Sequence, residues 1–330
     1  MDLKRIAPYI LLVGVFLGAG YVCLHGARLP VLDPEGPVAL GERDVIIVTL
    51  LFSSIIVVPV FVLLFWFAWK YRASDPENMK HHRPEWDHSN PLFEFAWWLV
   101  PSAIIAVLSV VAWQSSHALD PYAPLSGVGS PMTIEVVALD WKWLFIYPEE
   151  GIATVNEVVI PVGSPVRFVL TADAPMNSFW IPSLAGQIMV MPGMTTQLNV
   201  LASSAGEFNG VSGNMSGPGF AVMWFKARAV TLEAYAAWVD SVRKTSSPLS
   251  RTTYDALAKP SENDPERAYS PIDQDLYTAI TMRYMRRSFI PERMPEPTSA
   301  TFSSASTTST PSTGIPDNMA DMPMTIPTLR

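Results

Sequence analysis

In the stretch D-W-K-W-L-F-I-Y-P-E-E-G-I-A-T-V-N-E, residues 140–157, an aromatic side chain falls at every second position from Trp141 through Trp143 and Phe145 to Tyr147. Successive side chains of an extended strand point to opposite faces, so these four share one face. Thr133–Leu139 alternates in the same way on the other side of Asp140. Short runs follow at Glu157–Ile160, Val166–Leu170, Gln197–Val200 and Ala221–Phe225, with Pro, Gly and Asn clusters between them. No helical period intervenes between Met132 and about Ala229. Short strands with irregular turns over about a hundred residues predict one β-sandwich or small barrel.

Upstream the chain changes character. Val45–Trp69 is 25 residues without a charge, and Phe95–Ser116 is a further 22. Both reach the roughly 20 residues a helix needs to cross a hydrocarbon layer of about 30 Å. A buried helix of a soluble protein is rarely so long and so free of charge. Lys70, Arg72, Lys80 and Arg83 fall in the loop 70–94 between the two spans. The excess of basic residues in cytoplasmic loops assigns this loop to the cytoplasm, so everything after about residue 117 faces the other side. Residues 1–24 open with Lys4 and Arg5 and run apolar from Ile10 to Val22. That is the pattern of a secretory signal peptide, or of a further N-terminal membrane segment.

Downstream, Thr231 is placed to cap a helix that carries Leu232, Tyr235, Val239 and Val242 on one face, and a second helical pattern runs from about Ile272 to Arg287. From Pro295 the chain is Ser, Thr, Pro and Met with almost no large apolar residues, so the tail is expected to be disordered.

Metal-ligating residues are distributed unevenly. Of 330 residues only Cys23 is a cysteine, and all five histidines (His25, His81, His82, His88 and His117) precede residue 118. Transition-metal sites rely on thiolate and imidazole, and the β-domain has neither. With 22 basic and 30 acidic residues the net charge is −8, and no basic stretch is interleaved with aromatics, which argues against nucleic-acid binding.

The quoted stretch 140–157, together with W-K-Y-R-A-S (69–74), M-N-S-F-W-I-P (176–182) and S-G-P-G-F (216–220), resembles subunit II of bacterial haem-copper quinol oxidases, the cytochrome bo-type family related to cytochrome c oxidase subunit II. The resemblance extends over roughly residues 30–290. It implies a transmembrane hairpin (25–117), an all-β cupredoxin-like domain on the periplasmic side (118–229), a short α-helical extension (230–294) and the disordered tail (295–330), anchored in the bacterial inner membrane.

In the cytochrome c oxidase relatives this domain holds a two-copper centre, with one His on an early loop and C-x-E-x-C-x-x-x-H-x-x-M on a later one. Here the later loop reads F-N-G-V-S-G-N-M-S-G-P-G-F-A-V-M, residues 208–223. Ser212 and Ser216 stand at the thiolate positions, Asn214 at the Glu, Phe220 at the His, and Asn177 at the early His; Met223 alone is kept. A serine hydroxyl is a poor ligand for soft copper and phenylalanine is none. The expectation is a vestigial site and no cofactor in this chain. The resemblance then implies a proton-translocating complex that oxidises quinol and reduces oxygen to water. Its haems and copper would sit in a partner subunit I, beside other small membrane subunits and the membrane lipids.

Glu94 opens the second span and has two readings. It is a helix-start carboxylate favoured by the helix dipole, or, as the resemblance implies, the entrance of a proton-uptake channel. Trp141 matches the family's electron-accepting aromatic, but its neighbour is Lys142, so it reads as a half-buried strand residue. Met176, Met189, Met191, Met194, Met215 and Met223 cluster around the vestigial loops, where packing is the expected role. A membrane-tethered, methionine-based Cu(I)-handling protein is the alternative they raise, while Met319, Met322 and Met324 in the tail read as incidental. Cys23 is a lipid-acceptor candidate, although Gly20, Tyr21 and Val22 fit that role poorly.

Overall fold

A proline fixes where the first described helix begins. Pro37 occupies its first turn, where the missing N–H is no loss, and helix α1 runs Pro37–Lys70. The computed structural model describes residues 29–71 and 91–288. The signal-like segment 1–24 with Cys23, the loop residues Arg72, Lys80 and Arg83, and the tail 295–330 lie outside the described residues.

At about 1.5 Å per residue, the 34 residues of α1 measure about 51 Å, well beyond a hydrocarbon layer of about 30 Å. The helix therefore starts earlier than the apolar run at Val45, and its first turns lie against the β-domain. Ala39 is buried there, and a Cβ on Gly36 would sit 2.6 Å from the Leu201 carbonyl oxygen and 2.8 Å from that of Leu184. The Ser203 N–H donates to the Glu35 carbonyl, and the Glu35 N–H to that of Ser183. Helix α2, Pro91–Ala118, returns beside α1. Both helices are long and apolar enough to cross a membrane, and the most apolar stretch of each is uncovered.

Among the described residues twelve strands follow: β1 Met132–Leu139, β2 Lys142–Tyr147, β3 Ile152–Val155, β4 Glu157–Pro161, β5 Val166–Ala172, β6 Asn177–Trp180, β7 Ile188–Val190, β8 Thr196–Val200, β9 Gly206–Ser212, β10 Trp224–Val230, β11 Ser247–Leu249 and β12 Arg267–Ile272. They form a seven-stranded sheet in the order β11-β12-β3-β2-β1-β5-β8 and a five-stranded sheet in the order β4-β10-β9-β6-β7. Helices α3 (Leu232–Thr245), α4 (Arg251–Leu257) and α5 (Leu276–Ser288) complete the described chain. The Thr231 side chain caps α3 by accepting from the Ala234 N–H, and Tyr235, Val239 and Val242 are its buried face.

The core between the sheets is aromatic. The Phe179 and Phe225 rings stack at 5.0 Å, and Trp143 meets both edge-on at 5.2 and 5.7 Å. Gly210 has no Cβ because the Phe225 ring fills that space.

Several sequence expectations change here. Trp141 packs against the same core as Trp143, Phe145 and Tyr147, but it lies outside β2. It sits at φ 63° in the reversal before β2, a left-handed conformation imposed by the tight β1–β2 turn. Alternation in β2 does not mean one solvated face, because all six of its residues are buried. Leu144 and Ile146, with Val137 and Leu139 of β1, pack into a second core under Tyr254, Leu257, Leu276, Tyr277 and Ile280. The segment after residue 230 is therefore more than a helical extension. It adds two strands to the sheet edge and covers its outer face. Ile272 closes β12 instead of starting a helix, and α5 begins at Leu276. Ala221 and Val222 belong to a 3₁₀ turn, Pro218–Val222, because the glycine–proline pair before them cannot pair into a ladder, and β10 begins at Trp224.

Candidate functional site

The loops at one end of the sandwich carry the residues singled out from the sequence. Asn177 opens β6 and Ser212 closes β9, and the antiparallel pairing of these strands sets Ser212 opposite Phe179. Both side chains are buried, Asn177 at 1% and Ser212 at 6% exposure. The Ser212 hydroxyl donates to Asn177 Oδ1 at 3.1 Å and lies 3.4 Å from the Asn214 carbonyl. The Asn177 amide donates to the Pro175 carbonyl at 2.8 Å, and the Asn214 amide to that of Met176 at 2.7 Å. The Ser212 N–H donates to the carbonyl of buried Met223. The side chains of Asn177, Ser212 and Asn214 are thus joined to one another's loops, while Met223 and Phe220 are linked only through backbone bonds, Met223 to Ser212 and to Phe220, and Phe220 also to Gly217. Ser216 Oγ has no hydrogen-bond partner among the described residues, and neither does Trp141 Nε1. The Trp141 indole lies over Gly217 and Gly219, where a Cβ would collide with it.

This donor set does not fit a two-copper centre. Hydroxyl and amide groups are hard, neutral donors, and those of Asn177, Ser212 and Asn214 are already committed to hydrogen bonds. Met223 offers one thioether. Among the described residues no group of three His, Cys, Asp or Glu side chains is gathered for a metal ion. What the arrangement does is hold two loops together, since each buried polar group satisfied here would be destabilising if left alone.

The methionines are not mainly packing residues. Met223 is buried, but Met176, Met189, Met194 and Met215 are exposed, Met215 by 86%. They sit on loops and an edge strand, outside the space between the sheets. Glu94 lies elsewhere, exposed in the first turn of α2.

Three features were missed from sequence. Lys142 is 1% exposed and pairs at 3.0 Å with Asp264, while donating to the Lys259 carbonyl at 2.8 Å and to Ser261 Oγ. Burial would raise the Asp264 carboxyl, but the Ser261 hydroxyl, Lys142 and Arg267 outweigh it and hold it below its ordinary value. Asp173, at the end of β5, collects donors from Tyr254, Tyr284 and Arg283. Glu135 on β1 is pushed up to about 7 by desolvation under the second core. The only signal for these in the sequence is the tyrosine density at Tyr254, Tyr269, Tyr277 and Tyr284.

Comparison with known proteins bears on this arrangement. Residues 149–230 match the family described as cytochrome c oxidase subunit II, periplasmic domain, and residues 243–288 match the COX aromatic rich motif. The chain is 45% identical over 284 residues to cytochrome bo(3) ubiquinol oxidase subunit 2 of Pseudomonas putida, covering 86% of this chain and 88% of that one. It is 45% identical over 263 residues to ubiquinol oxidase subunit 2 of Acetobacter aceti, covering 79% and 84%. Among solved structures, the periplasmic domain of subunit II of cytochrome oxidase of Bradyrhizobium japonicum covers 37% of this chain and 98% of its own, at 23% identity and a TM-score of 0.35. The Pseudomonas putida and Acetobacter aceti relatives are oxidase subunits, which does not favour the Cu(I)-handling alternative.

Proposed function

The chain belongs to the quinol oxidase subunit 2 family, and on that premise we propose that it is the membrane-anchored, copper-free second subunit of a proton-translocating quinol:oxygen oxidoreductase. Quinol electrons pass to haems and copper in a partner subunit I, where oxygen is reduced to water, and this chain supports assembly and proton uptake. Its two helices lie in the bacterial inner membrane, and the β-domain faces the periplasm.

The observation that carries the copper-free reading is the bond from Ser212 to Asn177. A hydroxyl and an amide meet where the relatives of the cytochrome c type bring thiolate and imidazole, and each is satisfied by the other. An enzyme fed by a membrane-dissolved quinol has no need of a relay that takes electrons from cytochrome c. Glu94 fits the entrance of a proton path, because it is an exposed carboxylate in the first turn of a membrane helix.

The test is to solubilise membranes mildly, capture this chain, and record the haem spectrum, metal content and quinol-oxidase activity of what accompanies it. Haems with oxygen consumption driven by quinol, and copper accounted for by the partner, are expected. A chain captured with neither haem nor activity would overturn the oxidase reading. Stoichiometric copper in the exported domain would overturn the copper-free one.

A further inference from the structure

Glu135 is a carboxyl set into an apolar face. In register it lies between Ile146 of β2 and Val169 of β5, and Val137 follows it on the same side of β1. Those three neighbours line the second core, and the first half of α5 is its lid, with Leu276, Tyr277 and Ile280 buried against the sheet. Among the described residues Glu135 has no ion pair and no hydrogen bond, and desolvation acts on it unopposed.

The elements packed around it bring no free charge to this place. On β5, Arg167 shares the face two residues before Val169 but is exposed. On β2, Lys142 stands at the far end, opposite Leu139, and is committed to Asp264. Strand β8 sets the uncharged Gln197 opposite Val169. Before α5, Asp273 pairs with Arg251 and Asp275 is exposed, while further along it Arg283 and Tyr284 are committed to Asp173. Tyr277 is the group on α5 that senses Glu135. Burial pushes its hydroxyl up to about 12, Thr195 opposes that, and an ionised Glu135 adds to it. Thr171, two positions beyond Val169 on the same face, is fully buried and its hydroxyl has no partner among the described residues, so it offers a neutral acceptor. A carboxyl among such neighbours is comfortable when protonated and costly when ionised.

We propose that Glu135 is a pH-sensitive latch for the aromatic-rich segment: with the carboxyl neutral, α5 lies closed on the outer face of the seven-stranded sheet, and with it ionised the first half of α5 lifts to admit water. Desolvation raises this carboxyl from 4.5 to about 7 in the closed form, so closure is at full strength below pH 4.5 and is lost as pH rises through 7. The far half of α5 stays tethered, because Tyr284 and Arg283 both donate to Asp173. The motion is therefore a local opening that leaves the sheets intact. The latch is built from residues of the β-domain alone and stands apart from the function proposed above.

The experiment follows amide hydrogen exchange of the full-length chain, solubilised in detergent with whatever accompanies it, at several pH values from 5.5 to 8.5. Each rate is divided by the intrinsic rate at the same pH, which leaves the protection of α5. In the wild type, protection at residues 276–284 is expected to fall roughly threefold or more across this range, a figure discounted for the partial exposure of the carboxyl. Helix α3, residues 232–245, should keep its protection. Glu135→Gln, which holds the side chain neutral at its own size, should hold α5 closed at every pH. If Glu135→Gln does not accumulate, Glu135→Leu takes its place, because its side chain suits the apolar face and cannot ionise. Wild-type protection of α5 that is flat with pH overturns the latch. So does a fall that persists in the variant, which would assign the opening to another group, or an equal fall in α3, which would make it global.

Discussion

Lys142 and Asp264 form an ion pair at 3.0 Å with the lysine 1% and the aspartate 12% exposed, joining the β1–β2 reversal to a segment 122 residues further along the chain. Isolating a charge in such a place is unfavourable unless its partner and further hydrogen bonds are in position. Lys142→Met should therefore destabilise the β-domain by about 1–3 kcal/mol, because Asp264 loses its lysine but keeps Arg267 and the Ser261 hydroxyl. Adding Asp264→Leu to that variant should recover much of the loss. Thermal unfolding of the two variants checks this, and equal stability of the single and double variants would show that the pair is not the origin of the effect.

Glu135 makes stability depend on pH. Its folded-state value is raised from 4.5 to about 7 by desolvation. A raised carboxyl favours the protonated form when folded, so its contribution is fully present below pH 4.5 and is lost as pH rises through 7. Because the group is partly exposed, the effect is discounted to about 1 kcal/mol, or roughly 2–4 °C in Tm. Glu135→Gln should raise Tm by that amount at pH 8 and leave it little changed at pH 4.5. Parallel curves for the two proteins between those values would exclude Glu135 as the source.

Rebuilding the ligand set tests the register of the vestigial loops. Asn177→His, Ser212→Cys, Asn214→Glu, Ser216→Cys and Phe220→His together surround Met223 with the pattern of the copper-bearing relatives. The 3.1 Å contact between Ser212 and Asn177 places the first two substitutions within reach of one metal. A purple, copper-loaded protein is the expected outcome. A folded protein that stays colourless with copper would mean that the positions are misaligned.

Glu94→Gln should slow quinol-driven oxygen reduction without preventing assembly, since the side chain keeps its size and loses only its titratable proton. Removing a positioned proton donor or acceptor reduces rates by ~10²–10⁴ where transfer limits turnover. An entrance residue should lose less, because water and neighbouring groups replace it in part. Steady-state turnover at constant haem content is the measurement, and unchanged rates across the pH range would return Glu94 to the role of a helix-start carboxylate.

Much of this architecture is local in origin and was readable in the linear chain. Two charge-free runs of membrane length, the alternation that becomes β1 and β2, and Thr231 as a cap each depend on residues within a few positions of one another. So does the lack of Cys and His after residue 117, which is a property of composition and needs no fold. The tertiary structure alone decided what covers each face and who partners whom. Period two reports that a strand has two sides, but not that both are buried, and the second side of β2 is covered by residues more than a hundred positions away. Asp173 gathers Tyr254 and Tyr284 from 81 and 111 residues along the chain, and no local pattern encodes that meeting. The turn at Trp141 likewise takes its φ of 63° from the strands it joins. Sequence periodicity reports backbone conformation and the presence of an apolar face, whereas pairing between distant groups is set only when the packed sheets bring them into contact.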